Sequence, residues 1–385
     1  MTAEEPVENV EGGGEKKLRP LDELYFYLTE GCNLACRHCW LAPRFDPDGT
    51  KTKHLSVEMF ELAIAQAKPL GLTGVKLTGG EPLLHRNILE LLSIVRREKL
   101  SLTIETNGVL CTPQVAGEIA KSGKPVVSVS IDAVDAATHD RIRGVPGSLE
   151  AAKAGVRALV GAGISPQVIM SLMRSNVSQV ADMIRMAEGL GASSVKFNVV
   201  QPTARGERMH ETGDVIEIAE LIALGHKVDM EMSRTTKLEL SFSYPMAFRP
   251  LSRIARNGRG RCGILGILGV LASGHVALCG IGEQVPELVF GKLGQDKLED
   301  IWANNPVLLS LRERLPSNLG GICGACLVRD SCLGSCVAQN YYRSRDLLAP
   351  FWFCELAAKD GLFPISRLRE PIDQGTKPDP QDGED

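Results

Sequence analysis

Between Leu24 and Met232 the chain alternates two patterns. Short apolar or β-branched runs occur at Leu24–Thr29 (LYFYLT), Val75–Thr78 (VKLT), Ser101–Thr106 (SLTIET), Val126–Ile131 (VVSVSI), Gln167–Met173 (QVIMSLM) and Ser194–Val200 (SVKFNVV), and each reads as a strand. Helical periodicity follows each. Ser56 reads as the N-cap of a helix through Lys68, a second helix spans Asn87–Lys99, and a short one starts near Pro113. Ser148 reads as the cap of a helix through Val160, Asn176 as the cap of one through Leu190, and a last helix covers Val215–Leu224. Six βα units predict a parallel sheet with right-handed crossovers. Six fall short of the eight that close a complete barrel, so an open, partial (β/α)6 barrel is expected, with its chemistry at the C-terminal ends of the strands.

From about Ser241 to Leu362 that rhythm stops. Short strands, glycine turns and seven cysteines replace it, and a small loop-rich region of this kind needs metal staples to hold a fold. The expected division is a polar lead at 1–20, a barrel at 21–235, a cysteine-held module at 236–365 and an acidic tail at 366–385, the lead and tail disordered by composition.

Composition narrows the class. Apolar residues make up 44% and charged residues 23%, ordinary globular usage, and 43 basic against 47 acidic residues give a net charge of −4. That balance offers no global basic field for a nucleic acid or an anionic membrane. Mean hydropathy is −0.01, and the longest nearly apolar run, Gly263 to Ala272, is far short of the ~20 residues of a membrane span. The acidic N-terminus is not a signal peptide, which points to the cytoplasm. There the 11 clustered cysteines read as metal or iron–sulfur ligands rather than disulfides.

Cys32, Cys36 and Cys39 stand in C-x3-C-x2-C spacing directly after the first strand. Three thiolates on one loop can hold three irons of a [4Fe–4S] cube and leave the fourth open for a ligand. A zinc site with His38 as fourth ligand is the alternative. The motif, in this position, resembles the signature of the radical S-adenosylmethionine (SAM) superfamily. The resemblance implies that the open iron chelates SAM and that reductive cleavage yields a 5′-deoxyadenosyl radical that abstracts a substrate hydrogen. It implies further that Trp40 abuts the adenine. LTGGEP (Leu77–Pro82) is similar to the family's GGE motif, so Gly79, Gly80, Glu81 and Pro82 are candidates to bind the SAM amino group. Asn107, Ser130 and Asp132 at strand ends are candidate SAM or ribose contacts. Arg143, in HDRIRGVPGS, is a candidate partner of the SAM carboxylate, the alternative being a solvated helix-end charge. FNVVQPTARG (Phe197–Gly206) resembles the segment near the adenine and names no ligand, and Cys111 reads as a buried small hydrophobe.

Cys262, Cys279, Cys323, Cys326, Cys332, Cys336 and Cys354 form a C-x11-G-x4-C, gap, C-x2-C-x5-C-x3-C, gap, C layout. It resembles the SPASM module, which carries two auxiliary iron–sulfur clusters; a double zinc module is the alternative. By that resemblance Cys323, Cys326, Cys332 and Cys354 hold a [4Fe–4S] cluster, and Cys262, Cys279 and Cys336 hold a second. The second cluster's nuclearity and remaining ligand stay open. FGKLGQDKLEDIWAN (Phe290–Asn304) resembles the module's connector.

The resemblance implies modification of a ribosomally made peptide, encoded nearby, by a thioether or carbon–carbon crosslink. Auxiliary clusters accept the electron, a flavodoxin or ferredoxin donates it, and a separate protein can recognise the leader. Two other enzyme readings are haem or tetrapyrrole modification and sulfatase maturation. The latter expects an aspartate after the second module cysteine, where this chain has Gly280. An iron–sulfur electron carrier is the non-enzymatic reading. No general base is identifiable from the sequence.

Overall fold

The computed structural model describes residues 18–256 and 262–369. Most of the predicted lead and tail (1–17 and 370–385) lies outside them. The flanking pieces that are described are tied down. The Arg19 carbonyl accepts from the Trp302 indole at 2.7 Å, and Leu368 bridges to Cys326.

Seven parallel strands follow in spatial order: β1 (Glu23–Tyr27), β2 (Gly74–Thr78), β3 (Ser101–Thr106), β4 (Val126–Ser130), β5 (Gln167–Leu172), β6 (Ser194–Val199) and β7 (Glu239–Phe242). β8 (Ile267–Val270) adds in parallel on the outer side of β1, and β9 (His275–Ala277) and β10 (Val289–Lys292) continue the sheet antiparallel. The six expected strands are present. The differences are two further parallel strands, β7 and β8, one on each side of the six, and the antiparallel β9 and β10 beyond β8, all drawn from the cysteine-rich region. That region contributes four strands to one ten-stranded sheet.

Alternation explains the two faces. Leu24, Phe26, Val75, Leu77, Leu102, Ile104, Val127, Val129, Val168, Met170, Val195 and Phe197 are fully or nearly fully buried under the helices. The residues between them, Tyr25, Lys76, Glu105, Ser128, Ser171, Lys196 and Asn198 among them, face the concave side. The barrel interior is therefore polar, unlike the branched apolar layers that fill a complete barrel.

Helices α1 (Val57–Ala67), α2 (Ile88–Arg97), α3 (Pro113–Ala120), α4 (Ala136–Arg143), α5 (Ser148–Gly161), α6 (Val180–Gly189), α7 (Arg205–Glu211) and α8 (Ile218–Met230) cover the outside. Ser56 caps α1 as predicted, accepting from the Met59 N–H at 3.3 Å. Ser148 does not cap α5; it is the first helical residue, after left-handed Gly147. Asp140 of α4 does the capping, accepting from Gly147 N (2.6 Å), Leu149 N (3.0 Å) and Ser148 Oγ (2.9 Å). Asn176 likewise turns inward: its Nδ2 donates to the Asp132 and Ser171 carbonyls and joins the ends of β4 and β5. The last predicted helix, Val215–Leu224, is α8, shifted toward the C-terminus, and α7 is a further helix between β6 and α8. Among the described residues no helix is long and apolar enough to cross a membrane.

Asp140→Ala removes three hydrogen bonds at one helix start, two of them half-buried, and is expected to destabilise the protein by about 1–2 kcal/mol. Urea unfolding of wild type and variant tests this; coincident transitions would contradict the capping role.

Candidate active site

The chain leaves β1 at Tyr27 and turns through Cys32, Cys36 and Cys39 across the strand ends. Backbone contacts hold this loop from four sides. Gly80 N donates to Thr29 O (3.1 Å) and Glu81 N to Gly31 O (3.1 Å), from the turn after β2. Ala35 N donates to Arg143 O (2.9 Å) and Arg37 N to Ile142 O (3.0 Å), from the end of α4. Arg205 of α7 donates to the Cys36 carbonyl (3.2 Å) and the Pro43 carbonyl (2.7 Å). Asp46 N, on the strap that follows, donates to Cys32 O at 2.9 Å. The glycine pair is required by space. Gly79 has φ +119°, and a Cβ on Gly80 would lie 1.8 Å from the Gly31 oxygen.

The sulfurs meet donors. Leu34 N lies 3.4 Å and Asn107 Nδ2 3.8 Å from Cys32 Sγ, and Arg143 reaches Cys36 Sγ at 3.6 Å. Burial, then the Glu81 charge and the neighbouring thiols, push the Cys32 thiol up; burial does the same for Cys36, against the pull of Arg143. Such thiols ionise only against a strong local positive charge, which iron supplies, and N–H donors on cluster sulfurs are how proteins tune such centres. Among the described residues no three His, Cys, Asp or Glu side chains converge as the ligands of one metal ion do. In a cube each thiolate binds its own iron, so its ligands stand apart.

Glu81 is fully buried, and its carboxylate is engaged by Thr106 Oγ1 (2.6 Å), Asn107 N (2.8 Å) and Leu83 N (3.0 Å). Burial outweighs those donors and pushes its pKa up to about 6. Pro82 opens the short turn that Glu81 caps. Asn107 also donates to Asn33 Oδ1 at 2.7 Å. Arg143 is buried rather than solvated at the helix end, with Nε 2.7 Å from Asp132 Oδ2. His38 Nε2 lies 3.7 Å from the same oxygen, so His38 turns toward Asp132. Although close, the Arg143–Asp132 contact is not aligned as a hydrogen bond, and His38 Nδ1 and Thr203 Oγ1 are also buried without an aligned partner. His139 Nδ1 accepts from Asp132 N at 3.2 Å. Unsatisfied buried polar atoms beside a glycine cradle fit a polar, zwitterionic ligand such as SAM. Ser130 ends β4 on the concave face, and Trp40 packs beside Tyr27, Leu41 and Leu271. Cys111 is buried in the core.

The remaining cysteines fall into two groups. Cys323, Cys326, Cys332 and Cys354 line one apolar cavity with Pro245, Leu319 and Phe363, and Phe351 N points at Cys323 Sγ (3.3 Å). Burial foremost, and then the neighbouring Cys336, push the Cys262 and Cys279 thiols up, and Lys76 stands near both. The turn after Cys279 faces the barrel mouth. There Glu283 and Gln284 join Tyr27, Thr29, Glu30, Arg44, Gly79 and Gly80 around a cleft of about 240 Å³. Gln284 donates to the Leu41 carbonyl at 2.9 Å. A Cβ on Gly280 would meet the Tyr27 ring at 2.2 Å, so no side chain fits there.

Sequence reasoning missed His139, Arg205, Tyr27 and Glu283. Arg205 lies within FNVVQPTARG, which carried a signal without a residue. His139 likewise lies within HDRIRGVPGS, where only Arg143 was singled out, and Glu283 had no signal, because its neighbours in the cleft are remote in the chain.

The chain resembles known proteins along most of its length. A profile of the Radical SAM superfamily matches residues 26–187. The chain is 29% identical over 344 residues to the AdoMet-dependent heme synthase of Methanosarcina barkeri, covering 85% of this chain and 94% of that protein. It is 28% identical over 335 residues to the mycofactocin maturase MftC of Mycobacterium ulcerans, covering 85% and 86%. Among solved structures it resembles Streptococcus suis SuiB bound to S-adenosylmethionine, with TM-score 0.67, 19% identity and coverage of 87% and 77%; SuiB is also known bound to its precursor peptide SuiA. Residues 26–187 are a radical SAM domain, a kind that implies SAM and a [4Fe–4S] cluster as cofactors.

Gly80→Ala is expected to push the cysteine loop off the strand ends and remove about four irons per chain while the remaining iron stays. Iron content after anaerobic reconstitution decides; full iron in the variant would contradict the contact.

Burial foremost pushes His38 and His139 down to about 4. An unfolded histidine titrates near 6.5, so between about pH 6.5 and 4 the unfolded state binds more protons, and stability falls as pH drops through that window. His139 alone accounts for up to about 3 kcal/mol. Glu81 acts in the opposite sense but is common to wild type and variant. His139→Gln should flatten the fall in urea midpoint between pH 6.5 and 4.5; an unchanged slope would contradict the assignment.

Proposed function

We propose that the chain is a peptide-modifying radical SAM enzyme with three iron–sulfur centres. Cys32, Cys36 and Cys39 hold the SAM-binding cluster. Cys323, Cys326, Cys332 and Cys354 hold an auxiliary [4Fe–4S] cluster, and Cys262, Cys279 and Cys336 hold the second auxiliary centre. Gly79, Gly80, Glu81 and Pro82 cradle the amino end of SAM, Arg143 with Asp132 orders its carboxylate, and Trp40, Asn107 and Ser130 line the rest. Bound SAM and its reduced cluster supply the radical that removes a substrate hydrogen.

The observation that carries the peptide reading is the polar, open interior. The cleft between the Gly79–Gly80 turn and the turn after Cys279 leads to a concave face of Ser, Thr, Asn, Lys and Glu side chains. That lining suits an extended peptide, whose backbone needs hydrogen-bond partners. It also puts the substrate beside the three-cysteine group, which can take the electron left when a substrate radical closes to product. A flavodoxin or ferredoxin supplies the priming electron, and leader recognition falls to this chain or a separate protein. The likeness to heme synthase across most of that protein favours tetrapyrrole modification as the second reading. Sulfatase maturation is disfavoured because Tyr27 fills the space where a side chain at position 280 would stand.

The test incubates anaerobically reconstituted enzyme, SAM and dithionite with short peptides encoded beside its gene, and separately with an iron tetrapyrrole. The proposal expects 5′-deoxyadenosine formation coupled to a peptide that loses two hydrogens. Coupled change in the tetrapyrrole, with the peptides untouched, would overturn it.

A further inference from the structure

The concave face of the sheet carries a row of charges. Lys76 Nζ on β2 pairs with Glu105 Oε1 on β3 at 2.5 Å and lies 4.9 Å from the Tyr25 ring centroid on β1. Glu23, below on β1, also leans on Lys76. Across the lumen on β6 stands Lys196, with its α-carbon level with Ile169 and Ser241. It feels Glu105, Lys76 and Arg249, yet makes no hydrogen bond or ion pair among the described residues. Among the described residues the Arg249 guanidinium donates only to the Phe242 carbonyl, at 3.5 Å. The carboxylate that faces Lys196, Glu105, is already engaged by Lys76. Burial, the largest influence, pushes the Lys196 pKa down. A half-buried ammonium with a second cation beside it and no anion in contact is unfavourable unless a ligand supplies the anion.

We propose that Lys196 is an anchor for a carboxylate of the substrate, with Arg249 alongside and the Lys76–Glu105 pair as the opposite wall. Lys196 lies three residues below Val199, where β6 ends, about 10 Å at strand rise. A flexible lysine stem and one substrate side chain span that depth, so the anchor sets which substrate atom stands at the mouth. The carboxylate is either a peptide C-terminus or an acidic side chain. This rests on the peptide reading only for the identity of the ligand, not for the site.

The test has two arms. In the first, reconstituted enzyme saturated with SAM is labelled by reductive methylation, with and without glutarate or its uncharged diamide, and Lys196 is followed by mass spectrometry against exposed Lys121. Glutarate is expected to slow Lys196 labelling about fivefold while the diamide has no effect. In the second, two random hexapeptide pools are equilibrated with wild type, Lys196→Met and Lys196→Arg. One pool has free C-termini and no acidic side chains; the other is C-amidated and contains Asp and Glu. Retention of one pool about tenfold better by wild type than by Lys196→Met, with Lys196→Arg between them, supports the anchor and identifies the source of the carboxylate. Glutarate protection with neither pool retained upholds the anchor and removes the peptide reading. Equal labelling with and without glutarate, or full protection by SAM alone, overturns the anchor.

Discussion

The upper face of this barrel depends on one close approach between two stretches of backbone. Gly80 sits so near the Gly31 carbonyl that no side chain fits between them. Through that contact the turn after β2 fixes the height of the residue just before Cys32. Thr29 adds to it, its hydroxyl lying within hydrogen-bond reach of the Gly31 carbonyl (2.9 Å) and the Glu81 carbonyl (3.1 Å). The glycines thus do two jobs: they open the cradle where a ligand can approach, and they hold the loop whose cysteines we propose as the iron ligands.

From this contact the polar network spreads outward. Glu81 ties the turn to the end of β3, Asn107 ties β3 to Cys32 and Asn33, and Arg143 ties α4 to Cys36 and Asp132. The first link joins two strand ends and the other two carry β3 and α4 to the cysteine loop, so the loop's geometry is set by the elements around it rather than by its own sequence. The cost is a group of buried polar atoms without aligned partners, concentrated at His38, Asp132 and Arg143. Proteins tolerate such atoms where a ligand completes them. The second region is bound into the same body. Its strands extend the sheet at both edges, and its Cys279 turn closes one side of the cleft. A scaffold and a cysteine module that look separable in composition share one hydrophobic core.

Much of this was legible in the chain. Strong period-two runs marked six strands because each buries one face under helices. β7 escaped notice because ELSF is only four residues long and follows a polar stretch. β8 lies in the Gly-rich run Gly263–Ala272, whose glycines look like turn residues but allow a close approach: a Cβ on Gly269 would lie 2.8 Å from the Cys279 α-carbon. Local capping rules placed Ser56 correctly and failed at Ser148, where an aspartate from the preceding helix takes over. At the site, the cysteine spacing and the GG turn were visible because their constraint is local. The His38–Asp132 contact was not, since a histidine inside a cysteine loop gives no sign of which distant carboxylate it faces.

The most direct measurement is iron and acid-labile sulfide per chain after anaerobic reconstitution, in wild type and in the Cys32/Cys36/Cys39→Ala triple variant, with zinc measured in parallel. Three four-iron centres give about twelve irons falling to about eight, and a two-iron centre at Cys262, Cys279 and Cys336 gives about ten falling to about six. In either case the variant loses about four irons and the rest stay. About four irons with stoichiometric zinc in wild type, falling to none in the variant, would contradict the account: the C-terminal cysteines would then be structural staples and not a path for electrons.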